Sequence, residues 1–169
     1  MTEEKETMQQ CMIHPTAIID PQAKIGAGVK IGPYAVIGPH VTIGDGTEIM
    51  AHVVIDGWTT IGKNCRFFPS ASIGSEPQDL KFKGEKSYVI IGDRSVFREY
   101  VTVSRATGEG EETRIGSDCL FQACTHVAHN CIIGNHVIMS NCAGLAGHVV
   151  VEDRVVIGGI AGVHQFVKI

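Results

Sequence analysis

Residues 25–61 read IGAGVK-IGPYAV-IGPHVT-IGDGTE-IMAHVV-IDGWTT-I, with isoleucine at Ile25, Ile31, Ile37, Ile43, Ile49, Ile55 and Ile61. Outward from this stretch the phase of six holds at Ile13 and Ile19 upstream. Downstream it holds at Phe67, Ile73, Ile91, Phe97, Val103, Ile115, Phe121, Val127, Ile133, Met139, Leu145, Val151, Ile157, Val163 and Ile169. Only Asp79, Glu85 and Glu109 break the series. Four places after each apolar residue sits a small or β-branched one, as at Ala17, Ala23, Val29, Ala35 and Val41, and glycine often follows directly, as at Gly26, Gly32 and Gly38. A period of six fits neither the 3.6 of a helix nor the 2 of a half-buried strand, and it marks a solenoid.

Three such hexads make one triangular coil, about eight coils in all, with the apolar residue of each hexad turned inward. Each side is a short strand pairing in parallel with those above and below, at the usual strand spacing of about 4.8 Å. The fold class is therefore all-β, a parallel β-helix. Its repeat resembles the left-handed hexapeptide class, an exception to the right-handed crossover rule; the handedness is what the resemblance implies. The glycine after each apolar residue is expected to let the chain turn at a corner.

Two polar stretches interrupt the ladder, 75–90 (SEPQDLKFKGEKSYVI) and 104–114 (SRATGEGEETR). Each preserves the phase of six, so each is expected to leave a continuous coil and rejoin it. The reading is one β-helix domain over 13–169, with 1–12 as an N-terminal tail or cap. A solenoid needs capped ends, and Ile169 is an inward position, so the sequence is expected to be part of a longer protein.

Lys and Arg number 14 against 18 Asp and Glu, a net charge of −4. That offers no basic footprint for nucleic acid, and no stretch approaches the roughly 20 apolar residues of a membrane span. The acidic start, MTEEKE, lacks the regions of a signal peptide, and the expected location is cytoplasmic. Cys11, Cys65, Cys119 and Cys131 fall in the small-residue phase and are expected to act as small buried hydrophobes. Cys124 and Cys142 lie three hexads apart, so they stack on neighbouring coils.

The histidines carry the chemistry. Divided by 18, the length of a coil, the positions 126, 164, 129 and 148 leave 0, 2, 3 and 4. His126, His129, His148 and His164 should thus gather on one corner of three successive coils, with Gly147 between His129 and Gln165. His14, His40, His52 and His136 fall elsewhere. A zinc site needs three converging histidines, and no spacing here suggests one. Cys124 as a nucleophile activated by His126 lacks an evident activating charge. A neutral imidazole acting as general base on a hydroxyl or amine that attacks an acyl donor remains, with a backbone amide such as that of Gly147 for the oxyanion.

The strings His14-Pro15-Thr16-Ala17, Gln78-Asp79-Leu80-Lys81, His126-Val127-Ala128-His129-Asn130-Cys131, Leu145-Ala146-Gly147-His148-Val149 and Val163-His164-Gln165-Phe166 occur in that order. From about residue 13 onward the chain resembles the acyl-ACP:UDP-N-acetylglucosamine O-acyltransferases of lipid A biosynthesis. The resemblance implies transfer of a 3-hydroxyacyl group from acyl carrier protein to the sugar 3-hydroxyl, without cofactor or metal. It makes His129 the base and the Gly147 amide the oxyanion donor, with Gln78, Asp79, Lys81, His126, His148, His164 and Gln165 binding substrate. It implies a homotrimer in which the 75–90 loop completes a site on a neighbouring subunit, and a C-terminal helical domain that has no counterpart in this sequence. A related N-acyltransferase, an acetyl-CoA-dependent hexapeptide enzyme and a scaffold without turnover are the alternatives.

Overall fold

In the computed structural model, which describes residues 11–169, the hexad ladder closes into a three-sided prism. Three parallel sheets form its faces. The first holds eight strands, from Met12–Ile13 to Val156–Ile157; the second holds eight, from Ile18–Ile19 to Gly162–Val163; the third holds seven, from Lys24–Ile25 to Val150–Val151. Most strands are only two residues long, so each coil gains little from its own contacts and depends on the coils stacked above and below. The inward residue and the one two places before it are both buried; Val29, Ile31, Ala35, Ile37, Val41 and Ile43 are each 2 % exposed or less. This solenoid of hexapeptide coils is a left-handed parallel β-helix.

The cysteines behave as small core residues. Cys65, Cys119 and Cys131 are buried in the ladder and Cys11 is half-buried, whereas Cys124 and Cys142 are exposed at corners. Burial pushes the Cys65 and Cys131 thiols up to about 11, so neither supplies a thiolate near neutral pH. No helix of the described residues is long and apolar enough to cross a membrane. The tail or cap expected over 1–12 lies mostly outside the described residues.

The corners differ from expectation in one respect. The residue with positive φ is the third after the inward position, and it is usually not glycine: Tyr34, His52, Asn64, Arg94, Asn130 and His148 all lie near φ +60°. The glycine directly after the isoleucine serves close approach instead. A Cβ at Gly44 would stand 2.6 Å from the carbonyl carbon of Gly62 on the next coil.

The two excursions turn out to share a corner. Both leave the second sheet and return on the third, the first between Ser72–Ser75 and Tyr88–Ile91, the second between Thr102–Ser104 and Glu112–Ile115. The register records their length. Elsewhere a strand residue pairs with the one three hexads on, as Ile25 does with Ile43. Arg66 instead pairs with Val96, five hexads on, and Val96 with Leu120, four hexads on. The first excursion therefore adds two hexads to its coil and the second adds one.

Candidate active site

The corner that releases both excursions continues upward into the histidines. Once the second excursion's extra hexad is counted, Arg105, His129, Gly147 and Gln165 stand in one column at the junction of the second and third sheets. The excursions are therefore stacked directly beneath the histidine corner. His126, on the strand His126–Val127, faces outward from the second sheet beside it.

His129 is the most enclosed of the histidines, 7 % exposed. Its Nδ1 lies 2.9 Å from Asn130 Oδ1. Asn130 sits at φ 59°, a conformation asparagine tolerates, and that turn aims its amide at the second excursion. There its Nδ2 donates to the Thr107 carbonyl (3.1 Å) and its Oδ1 accepts from the Thr107 amide (2.9 Å). Those two bonds settle which amide atom is oxygen, so His129 Nδ1 must be the donor to it. The neutral ring then carries its lone pair on Nε2. Asp79 Oδ2 stands 3.8 Å from that nitrogen, too far for a hydrogen bond. The Lys81 amide, hydrogen-bonded at 3.0 Å, is the chief cause that holds the Asp79 carboxyl below its ordinary range.

Gly147 lies against the imidazole. A Cβ at this position would come within 2.5 Å of His129 Cε1 and Nε2, so only glycine lets the ring rest on the backbone. Its amide is unpaired among the described residues, as are the equivalent amides of Ala51, Glu99 and Ala123 on the corner after the first sheet. Along the corner after the third sheet, the equivalent amides of Ala27, Lys63, Asp93, Ser117 and Asn135 each donate to a side chain of the next coil. On the histidine corner, the amides of His129 and Gly147 find no acceptor among the described residues. Two free N–H groups beside a lone-pair nitrogen are the elements of a general base with an oxyanion donor.

Gln78, His126, Ala128, His129, Gly147 and Gln165 line an open cleft of about 400 Å³. His148 packs edge-on against His129 at 5.2 Å and stacks on Phe166. His164 and Lys81 are both exposed and neither lines the cleft; His164 Nδ1 meets only the Gln165 carbonyl. Asp79 Oδ2 faces His129 of its own chain, so the 75–90 loop reaches the histidine corner within one subunit. The loop leaves the prism two coils beneath His129, below Arg105, and reaches up to it. Arg105 and Thr107, which tie the excursions to this corner, escaped the sequence reading. Counting the column across the second excursion would have found Arg105.

Burial, reinforced by the neighbouring His129, lowers the pKa of His126, and its Nδ1 is 2.7 Å from Thr102 Oγ1. Below the unfolded value of about 6.5 the unfolded chain binds a proton that folded His126 still refuses. Stability should therefore fall as pH drops from 7 through 6.5 toward the depressed folded value. In His126→Gln, urea midpoints measured across pH 5–7.5 should show a shallower fall; an unchanged slope would reassign the loss to other groups.

Two family models match the chain: the GMPPB C-terminal domain over residues 8–107 and the bacterial transferase hexapeptide, six repeats, over 112–147. The first ends before the histidine corner formed by His126, His129, His148 and His164, and it speaks to the repeat. An acyl-[acyl-carrier-protein]–UDP-N-acetylglucosamine O-acyltransferase of Synechocystis is 56 % identical over 93 % of this chain, which spans 57 % of that relative's length. Among solved structures, LpxA from Acinetobacter baumannii superposes with a TM-score of 0.91 at 49 % identity, over 93 % of this chain and 61 % of the other. LpxA of Bacteroides fragilis, a UDP-N-acetylglucosamine acyltransferase, gives 0.69 at 37 %, over 94 % and 67 %. With the histidine corner inside the matched region, the chain belongs to the family of acyl-[acyl-carrier-protein]–UDP-N-acetylglucosamine O-acyltransferases.

Proposed function

We propose that this chain carries the catalytic corner of an acyltransferase that moves a 3-hydroxyacyl group from acyl carrier protein to the 3-hydroxyl of UDP-N-acetylglucosamine, the opening step of lipid A synthesis. The observation that carries the reading is the free Nε2 of His129, held by Asn130 beside the unpaired Gly147 amide. His129 Nε2 takes the proton of the sugar hydroxyl as its oxygen bonds to the thioester carbonyl carbon. The Gly147 N–H donates to the oxyanion that forms. Collapse breaks the carbon–sulfur bond, and the imidazolium returns the proton to the departing sulfur. Asp79, its carboxyl held below the ordinary range chiefly by the Lys81 amide, stands 3.8 Å from Nε2. Gln78, His126 and Gln165 present polar groups along the cleft for the sugar nucleotide, His148 packs beside the base, and the exposed His164 and Lys81 are left to meet the substrate outside the cleft.

The cleft is open on one side, which suits completion by a second copy in a cytoplasmic homotrimer. Incubation with UDP-N-acetylglucosamine and 3-hydroxyacyl-ACP should yield the 3-O-acyl product, and light scattering should give three times the chain mass. Product from acetyl-CoA or an amino-sugar acceptor instead would move the protein to another hexapeptide transferase, and an active monomer would remove the intersubunit part of the reading.

A further inference from the structure

Arg105 is 8 % exposed at the foot of the histidine column, and its surroundings belong almost entirely to the first excursion. Its amide donates to the Ser75 carbonyl at 3.0 Å. One terminal nitrogen donates to the Gly74 carbonyl at 3.4 Å, the other to Glu76 Oε1 at 3.3 Å. Its guanidinium stacks over the Phe82 ring at 5.0 Å. One residue thus grips the departure of the loop at Gly74, Ser75 and Glu76, and its far side at Phe82. Between these grips lie Gln78, which lines the cleft, and Asp79, which faces His129.

The energetics speak against a purely stabilising role. The buried Nε finds no acceptor among the described residues, and the single carboxylate partner, Glu76, is 71 % exposed. A guanidinium buried with so little compensation costs stability, and replacing such a group with an apolar one of similar length is often neutral or stabilising. The second excursion also locks upward: Thr107, two residues on, clamps Asn130 and through it His129. A single short segment therefore holds the Asp79 loop below and the base above.

We infer that Arg105 is a positioning residue that sets Gln78 and Asp79 against His129, so that the 105–107 segment couples the first excursion to the catalytic base. This rests on the acyl-transfer reading above, but one arm of its test does not. Arg105→Met should hold the thermal midpoint of the wild type or raise it. It should nonetheless lower kcat about 10- to 100-fold, the scale of a misplacement near 1 Å. In an Asp79→Ala background the same change should cost clearly less than in the wild type, because the loop then has only Gln78 left to deliver. Arg105→Lys, which cannot span both grips, should recover only part of the rate. Independently of activity, a lysine-specific protease should cut the Met variant faster at Lys81 or Lys83. A fall in midpoint, with rate losses that multiply in the double variant, would overturn the inference in favour of a structural role. An unchanged cleavage rate would overturn it even if the protein proved to transfer no acyl group. Should Arg105→Met fail to fold, Phe82→Ala removes the other side of the grip, and the same cleavage and double-variant readouts apply.

Discussion

Replacement of His129 by alanine should lower acyl transfer about 10²- to 10⁴-fold, the range for loss of a general base. The loss should fall on kcat, because the proton moves only as the transition state forms, and KM should change little. The geometry makes the test clean. Removing the ring leaves Asn130 bonded to both Thr107 groups, so the second excursion keeps its anchor. It also leaves the Gly147 amide in place, since that group owes its position to the coil and not to the imidazole. The residual rate then reports what the oxyanion donor and the cleft supply by themselves. His126→Ala should cost less, since His126 lies beside the base, bonded to Thr102. If His129→Ala keeps more than a tenth of the wild-type rate while His126→Ala does not, His126 is the base and the tautomer assignment for His129 loses its functional meaning.

Much of the fold was legible because a solenoid writes its packing directly into spacing. Ile25, Ile43 and Ile61 are spaced by three hexads in the chain and are stacked neighbours in space, so a count along the sequence is a coordinate in the structure. The same count brought His126, His129 and Gly147 together, because no insertion separates them. It failed across the excursions. Ser75, Arg105 and His129 share a corner, yet five hexads separate the first pair and four the second, and nothing local says which corner a loop leaves. The direction of the 75–90 loop was hidden for the same reason. Whether Asp79 reaches its own His129 or another chain's depends on where Arg105 and Phe82 pin the loop. The role of the repeat glycines was misread because the clash they avoid, such as that of Gly44 with Gly62, is with another coil and not within the turn.

Phe97→Ala should cost about 3–5 kcal/mol of stability, toward the upper part of the range for emptying a phenylalanine site. Phe67, Phe97 and Phe121 form a column in the first sheet, fully buried, with successive ring centroids 4.8 Å apart and planes within 6°. Their spacing equals the strand spacing, so the backbone ladder sets it and cannot close up when the middle ring is removed. The cavity should therefore persist, bounded by a ring on each side. The place matters as much as the size. The coils of Phe67 and Phe97 are the two whose far corner opens into the excursions, so partners along this column are five and four hexads apart in place of three. The aromatic column holds the prism together where the third side is most interrupted, and the coil of Phe97 is the one that leads into Arg105. Urea denaturation should show the loss, and Phe97→Leu should recover most of it, since a large aliphatic side chain refills much of the volume. Benzene, which binds dry apolar cavities of this kind, should raise the midpoint of Phe97→Ala and leave the wild type unmoved. A midpoint within about 1 kcal/mol of wild type, or no response to benzene, would mean that the coils relax around the gap. The ladder would then be far softer than its hydrogen-bonded spacing implies.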